Sequence, residues 1–244
     1  MAQSLKPEAV WDKFWQEIEN LPPWDSLSQL IYEILIKEIG PVNRQTILEA
    51  GSGTGRISHR LALDGAKLTL LDTSAKALEI SRVLFEKTKL EAEFASGSIF
   101  EIPLPDNSFQ IVWNAGVLEH FLEDKQTLAL SEMARVCQKG GLIITINPYF
   151  GSLPYRFGKW YAEKTGAWNF GYEQPIKSLA LIKVNGLILI KEYSAGFWEQ
   201  FHFLVYLKHL HCVANLAELG KKKFRTFNHW PGYLLVSVFR KGNL

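Results

Sequence analysis

Cysteine is scarce in this chain of 244 residues. The two present, Cys137 and Cys212, lie far apart and lack a CxxC or CxxxH companion, which argues against a disulfide framework and a structural zinc site. Such usage fits a reducing compartment, and the expected location is cytoplasmic. An excess of one charge is lacking too. Lys and Arg number 27 against 25 Asp and Glu, a net of +2, so no large field gathers DNA, RNA or another polyanion. The basic run Lys221-Lys222-Lys223 with Arg225 reads as a solvated loop or helix end. No apolar run is long enough to span a bilayer, because the candidates near Leu179 to Ile190 and Phe201 to Leu210 are broken by Lys, Asn, Gly or His. The first residues, Met1-Ala2-Gln3-Ser4-Leu5-Lys6, have no apolar signal core. The expected partner is therefore a small molecule, with no nucleic acid and no integral membrane segment.

What is present is a globular composition, 47% hydrophobic and 21% charged, at a length that suits one sizeable α/β core. From Gln45 onward short apolar runs alternate with amphipathic ones, as βα units require. Strands are expected at Thr46 to Glu49, Lys67 to Leu71, Glu93 to Ala95, Phe109 to Trp113 and Leu142 to Ile146. Helices are expected at about Arg56 to Leu63, after Thr73-Ser74 and from about Asp124 to Gln138, the last stopped by Gly140-Gly141. A helix at Ser178 to Val184, a strand at Leu187 to Tyr193, a long helix at Trp198 to Leu219 and a strand at Tyr233 to Arg240 complete the pattern. The result is an α/β, doubly wound, mostly parallel seven-stranded sheet with helices on both faces. Ligands of such sheets bind at the carboxyl ends of the strands.

Two segments stand outside this rhythm. Residues 1–44 form a helical prefix, with Val10, Trp11, Phe14, Trp15 and Ile18 on one face and a break at Pro22-Pro23. Residues 147–178 form an insertion in which Tyr149, Phe150, Tyr155, Phe157, Trp160, Tyr161, Trp168, Phe170 and Tyr172 are mixed with glycine and proline. The insertion starts at the ligand end of the fifth strand, which places it over the site. Residues 45–146 make the cofactor-binding core, and 179–244 the remainder of the sheet, all within one domain.

The chemistry concentrates at Glu49-Ala50-Gly51-Ser52-Gly53-Thr54-Gly55, a strand running into a glycine turn and then a helix. Glycines there remove Cβ atoms where backbone turns sharply against a ligand, and the helix start favours an anion. A dinucleotide fingerprint needs glycine or alanine at position 56, which is Arg56, and a P-loop needs Gly-Lys-Ser/Thr, which is absent. Asp72, ending the second strand, is placed either to accept hydrogen bonds from two ribose hydroxyls or to cap the next helix.

Four motifs in order carry a resemblance: Leu48 to Gly55, Leu70-Leu71-Asp72, Pro103-Leu104-Pro105-Asp106-Asn107-Ser108-Phe109-Gln110-Ile111-Val112, and Val117-Leu118-Glu119-His120. Over about residues 45 to 150 the chain resembles the class I S-adenosylmethionine-dependent methyltransferases, in the type 11 group related to ubiquinone and menaquinone biosynthesis enzymes. The resemblance implies a Rossmann-like fold and S-adenosyl-L-methionine as cofactor. It implies that Glu49, Ala50, Gly51, Ser52, Gly53 and Gly55 line the methionyl part, and that Asp72 and Thr73 hold the ribose. Gly97, Ser98 and Ile99 border the adenine, with Ser98 standing where relatives commonly have Asp. The backbone carbonyl of Asn114 is assigned to the methionyl ammonium. It also implies in-line methyl transfer to a small acceptor of aromatic or lipid-like character, with the acceptor atom left open.

His120, with Glu119, is the nearest candidate for a general base, and the Leu-Glu-His turn also reads as plain packing of the loop. The aromatic insertion reads as an acceptor chamber or as the core of a cap, its position favouring the chamber. Trp11, Phe14 and Trp15 read as a lid or as a helix packed on the sheet. His209 and Cys212 share a helical face that His211 does not, and no carboxylates accompany them, so a core-facing or partner-facing helix outweighs a metal site. Two other functions compete with methyl transfer: a non-catalytic binder of the same cofactor, and an NAD-dependent oxidoreductase, which Arg56 disfavours.

Overall fold

The computed structural model describes residues 11, 14–16, 23–168, 173–207, 217, 220 and 231–242. Seven strands form one sheet: β1 Thr46–Ala50, β2 Lys67–Asp72, β3 Ala92–Ser96, β4 Phe109–Ala115, β5 Cys137–Pro148, β6 Leu187–Ala195 and β7 Leu234–Lys241. Their order is β3-β2-β1-β4-β5-β7-β6, parallel from β3 to β5, with β7 antiparallel to both its neighbours. The chain leaves β1 toward β2 and β3, then returns to β4 on the other side of β1. The carboxyl ends of β1 and β4 thus flank the switch point where such sheets bind ligands.

Strand periodicity divides the core in two. Ile47, Ile111, Trp113, Ile144 and Ile146 pack on one face, whereas Leu48, Val112 and Ile143 pack on the other. The first face is covered by α1 (Ser26–Ile39), α2 (Arg56–Leu63) and α3 (Ala75–Thr88) through residues such as Leu35, Leu61, Leu78 and Phe85. The second is covered by α4 (Glu123–Val136) through Leu130 and Met133. Each of these fully buried large side chains contributes about 1.5–3 kcal/mol. Capping sets where the helices start. The Asp25 carboxylate accepts from Ser28 N at 2.7 Å to open α1, and Ser74 Oγ accepts from Ala77 N at 3.4 Å to open α3.

Several expected elements differ. Helix α4 ends at Val136, ahead of the glycines, and β5 runs through them. A Cβ on Gly141 would meet Gln110 O at 2.6 Å, beside the shift in register between β4 and β5, so the pair serves an irregular strand rather than a helix stop. No helix forms at Ser178 to Val184, where the chain makes a bend and a turn. The Glu192 carboxylate accepts from Ser178 Oγ at 2.6 Å and from Leu179 N at 2.9 Å, and seven residues are too few to nucleate a helix against that competition. The first part of the expected long helix from Trp198 to Leu219 is a 3₁₀ segment over Glu199–Tyr206, held by the Gln200 amide, which donates to Phe197 O and Pro231 O, whereas residues 208–216, 218 and 219 lie outside the described residues.

The insertion contributes α5 (Leu153–Thr165), which packs on this 3₁₀ segment. Gly158 lies where a Cβ would meet Phe203 O at 2.3 Å, and Tyr155 packs edge-on against Phe203 and Tyr233. Val10, Ile18, Pro22, Phe170, Tyr172, His209, His211, Cys212, Lys221, Lys222, Lys223 and Arg225 lie outside the described residues.

Candidate active site

The site begins with the turn after β1. Gly51 and Ser52 donate their backbone N–H groups to Leu71 O at 2.8 and 2.9 Å, which ties the turn to the end of β2. Gly51, Gly53 and Gly55 have φ of 87°, 51° and 62°, the left-handed region that glycine enters without a Cβ clash. Their tasks differ. A Cβ on Gly53 would meet Trp15 Cζ2 at 2.8 Å, so the turn is bare where an aromatic ring lies over it. A Cβ on Gly55 would meet Leu70 Cδ2 at 2.2 Å, so this glycine lets α2 pack on β2 and does not line the cavity.

The two motif ends meet directly. Asp72 Oδ2 accepts from Gly53 N at 2.7 Å and Oδ1 from Ser74 N at 2.9 Å, joining the glycine turn to the start of α3. Helix capping falls to Ser74. Asp72 also lines the cavity, and a carboxylate oxygen with two lone pairs accepts a further donor.

Glu49, next to last in β1, is buried near this pair, with Oε2 unpartnered. Burial pushes its carboxyl up to about 8, Ser58 opposes, and the Asp72 charge adds to the rise. A buried carboxyl with a free oxygen in a cavity wall suits a cationic ligand group, which would return it to the ionised form. Ser52 Oγ is likewise buried and unpartnered in the same wall.

These residues share one cavity of about 760 Å³. Of the expected set, Glu49, Gly51, Ser52, Gly53, Asp72, Thr73, Gly97, Ser98, Ile99 and His120 line it. Ala50 does not, being wholly buried in the strand, and neither does Asn114, whose amide donates to Met133 Sδ at 3.4 Å. Ala115 and Gly116 form that wall instead. Ser98 Oγ accepts from Phe100 N at 3.2 Å, and Gly97 lies where a Cβ would meet Pro103 Cδ at 2.6 Å.

His120 closes the 3₁₀ turn Leu118–His120 after β4, nearly buried, with its Nε2 4.0 Å from Glu119 Oε1. Trp11 packs edge-on against the imidazole at a centroid distance of 4.8 Å. Phe14 packs on Trp11, and Trp15 on Phe14. These three aromatics lie on the cavity together with Leu27 and Ile31 of α1. Arg56 Nη1 donates to Pro23 O at 3.2 Å, and Nη2 stands 3.6 Å from Asp25 Oδ2, fastening the segment before α1 to the start of α2.

The aromatic insertion takes another place. Among the described residues, none of its aromatics lines the cavity; Tyr155 fills a core, and Phe150, Phe157 and Trp160 are exposed. The expectation of an acceptor chamber from this segment is corrected, because α5 is drawn away by its packing on Phe203. The apolar wall of the cavity comes instead from the prefix and from Ile146, Pro148, Tyr233 and Leu234 at the meeting of β5 and β7. No local motif marks the last four, since their pairing joins segments about ninety residues apart. Phe100 and Phe121, in edge contact at 4.7 Å, and Lys125, whose Nζ lies 5.2 Å over the Phe100 ring, complete the wall.

Residues 48–145 match a family model described as a methyltransferase domain. The chain is 28% identical over 185 residues to a malonyl-[acyl-carrier protein] O-methyltransferase of Erwinia pyrifoliae, covering 75% of this chain and 65% of that one. It is 30% identical over 126 residues to a demethylmenaquinone methyltransferase of Renibacterium salmoninarum, half of each chain. Among solved structures, a geranyl diphosphate C-methyltransferase of Streptomyces coelicolor, in complex with S-adenosyl-L-homocysteine, superposes with a TM-score of 0.65 at 12% identity. That match covers 99% of this chain and 100% of the other, a likeness of fold.

Proposed function

We propose that this chain is an S-adenosylmethionine-dependent methyltransferase, as its likeness to a methyltransferase family model over residues 48–145 and to methyltransferase relatives supports, and that it moves the cofactor's methyl group onto a small, largely apolar acceptor held beneath the N-terminal aromatics. The observation that carries this reading is the contact between Gly53 N and Asp72 Oδ2 in the wall of one cavity, with the free oxygen of Glu49 beside them. Turn, carboxylate and orphaned acid converge as an adenosyl ligand with a cationic amino-acid tail requires.

Within this reading Glu49 and Ser52 hold the methionyl end, Asp72 and Thr73 the ribose, and Gly97, Ser98 and Ile99 the adenine. Asp72 does this while keeping the turn in shape, which makes it a binding and a structural residue at once. When bound, S-adenosylmethionine supplies a methyl group on a sulfonium, which an acceptor lone pair displaces in line to leave S-adenosylhomocysteine. The chain's own part is position and exclusion of water. Trp11, Phe14 and Trp15 close the cavity over the glycine turn, and Arg56 fastens the segment that carries them. His120 takes the proton of an acceptor hydroxyl, its ring set by Trp11. This reading makes the chain one domain, with 1–44 as helical prefix and lid, 45–146 as cofactor-binding core, 147–178 as cap insertion and 179–244 as the C-terminal part of the sheet.

The homologues named for an acyl-carrier-linked acid and for a quinone precursor are methyltransferases with unlike acceptors. They support methyl transfer without choosing the acceptor. The test is transfer of label from methyl-labelled S-adenosylmethionine to a panel of phenols, quinols, carboxylic acids and amines. Labelled product with at least one of them, lowered about 10²-fold or more by His120→Ala at saturating cofactor, is expected. Unchanged turnover in that variant removes His120 from the chemistry, and cofactor binding without any product favours a non-catalytic binder.

A further inference from the structure

Glu119 is a side chain that the fold does not account for. It sits in the cavity wall at 3% exposure, and its Oε2 has no hydrogen-bond partner. Its other oxygen is 4.0 Å from His120 Nε2, beyond hydrogen-bond reach. The turn around it is held by backbone instead: His120 N donates to Val117 O at 3.3 Å, and Glu119 O accepts from Gln174 N at 2.8 Å. Oε1 lies 3.6 Å from where a Cβ on Gly116 would stand, and both residues line the cavity. A buried polar atom left unpaired costs free energy that is recovered when something binds there. The lining of the same cavity includes the apolar side chains of Trp11, Phe14, Ile31, Phe121 and Pro148.

We propose, on the methyl-transfer reading, that the free oxygen of Glu119 anchors the acceptor by a hydrogen bond, and that the acceptor is a flat apolar molecule carrying a carbonyl oxygen close to its reacting atom. Burial holds the Glu119 carboxyl well above the usual carboxylate range, and the Glu173 charge adds to the push, so the group presents an O–H and donates. A carbonyl takes that bond; a methylene in its place does not. A cationic acceptor is unsuited, because a protonated nitrogen has no lone pair with which to attack. The anchor, with the flat walls, fixes the acceptor's orientation beside His120.

The test uses two probes of nearly one shape, 3-hydroxyacetophenone and 3-ethylphenol, titrated calorimetrically into the full chain loaded with S-adenosylhomocysteine. The unsubstituted protein is expected to prefer the ketone by about fivefold or more, the worth of one net hydrogen bond. Glu119→Gln, a neutral donor of similar size, keeps that preference within about threefold, and Glu119→Leu abolishes it. Should the leucine variant lose S-adenosylhomocysteine as well, Glu119→Asp carries the test, because withdrawing the carboxyl by one methylene must erase the preference. An unsubstituted protein that binds neither probe or both equally, a glutamine variant as indifferent as leucine, or a preference that survives Leu or Asp overturns the assignment. Failure of the unsubstituted protein to take up S-adenosylhomocysteine sinks the methyl-transfer reading itself, whereas uptake without discrimination sinks only the role of Glu119.

Discussion

Two carboxyl groups less than twenty-five residues apart carry opposite duties, and their surroundings decide which. Asp72 is held by backbone donors on both oxygens, Gly53 N and Ser74 N, whereas Glu49 is buried with one oxygen free. Replacing Asp72 with Ala orphans the Gly53 and Ser74 amides and, on the proposed function, removes the ribose acceptor together. Hydrogen bonds to charged groups are worth about 1.5–3 kcal/mol each, so S-adenosylhomocysteine affinity should fall by about 100-fold or more, and by less in Asp72→Asn. Affinity unchanged in both variants would leave Asp72 a structural brace alone. For Glu49 the sign follows from its raised value, from 4.5 to about 8. The folded protein binds this proton more tightly than the unfolded chain, so unliganded stability declines as pH rises from about 4.5 toward about 8. Cofactor binding runs the other way, since an ammonium favours the ionised form. Near pH 7 it should release a proton, visible as a dependence of the binding heat on the buffer's ionisation enthalpy, and Glu49→Gln should abolish that dependence.

The glycine turn is one element with separable functions, which makes it a sharp test of the packing account. Gly55→Ala drives a Cβ into Leu70 and demands a left-handed alanine, so a loss of about 2–4 kcal/mol of stability is expected by denaturant unfolding. Gly53→Ala meets only the far edge of Trp15, so stability should drop by about 1–2 kcal/mol from backbone strain. Cofactor affinity should suffer more. Similar stability losses in the two variants would contradict the division. These elements were readable from sequence because their causes are local: an apolar strand, three glycines, an aspartate and a Ser74 cap lie within thirty residues. The bend at Ser178 was not, because it depends on Glu192 from another strand. Nor was the course of the aromatic insertion, since tyrosines and tryptophans at helical spacing suit a ligand chamber and a packed α5 equally. Phe203, fifty residues on, decides between them.

At the scale of the whole molecule, the cavity exists because the strand order reverses between the parallel neighbours β1 and β4 and because Trp11, Phe14 and Trp15 lie over that crevice. Motif reading picked out the side of the cavity built from the ends of β1, β2 and β3, whereas much of its apolar wall comes from the prefix and from the start of β7, inserted between β5 and β6. Among the described residues no helix is long and apolar enough to cross a membrane. The measurement that reaches deepest is a calorimetric titration of the full chain with S-adenosylhomocysteine and, separately, with NADH. One equivalent of the first, bound with micromolar or tighter affinity and lost on Asp72→Ala, is the predicted result. Equal affinity for both nucleotides, or binding of S-adenosylhomocysteine that ignores the aspartate, would contradict it.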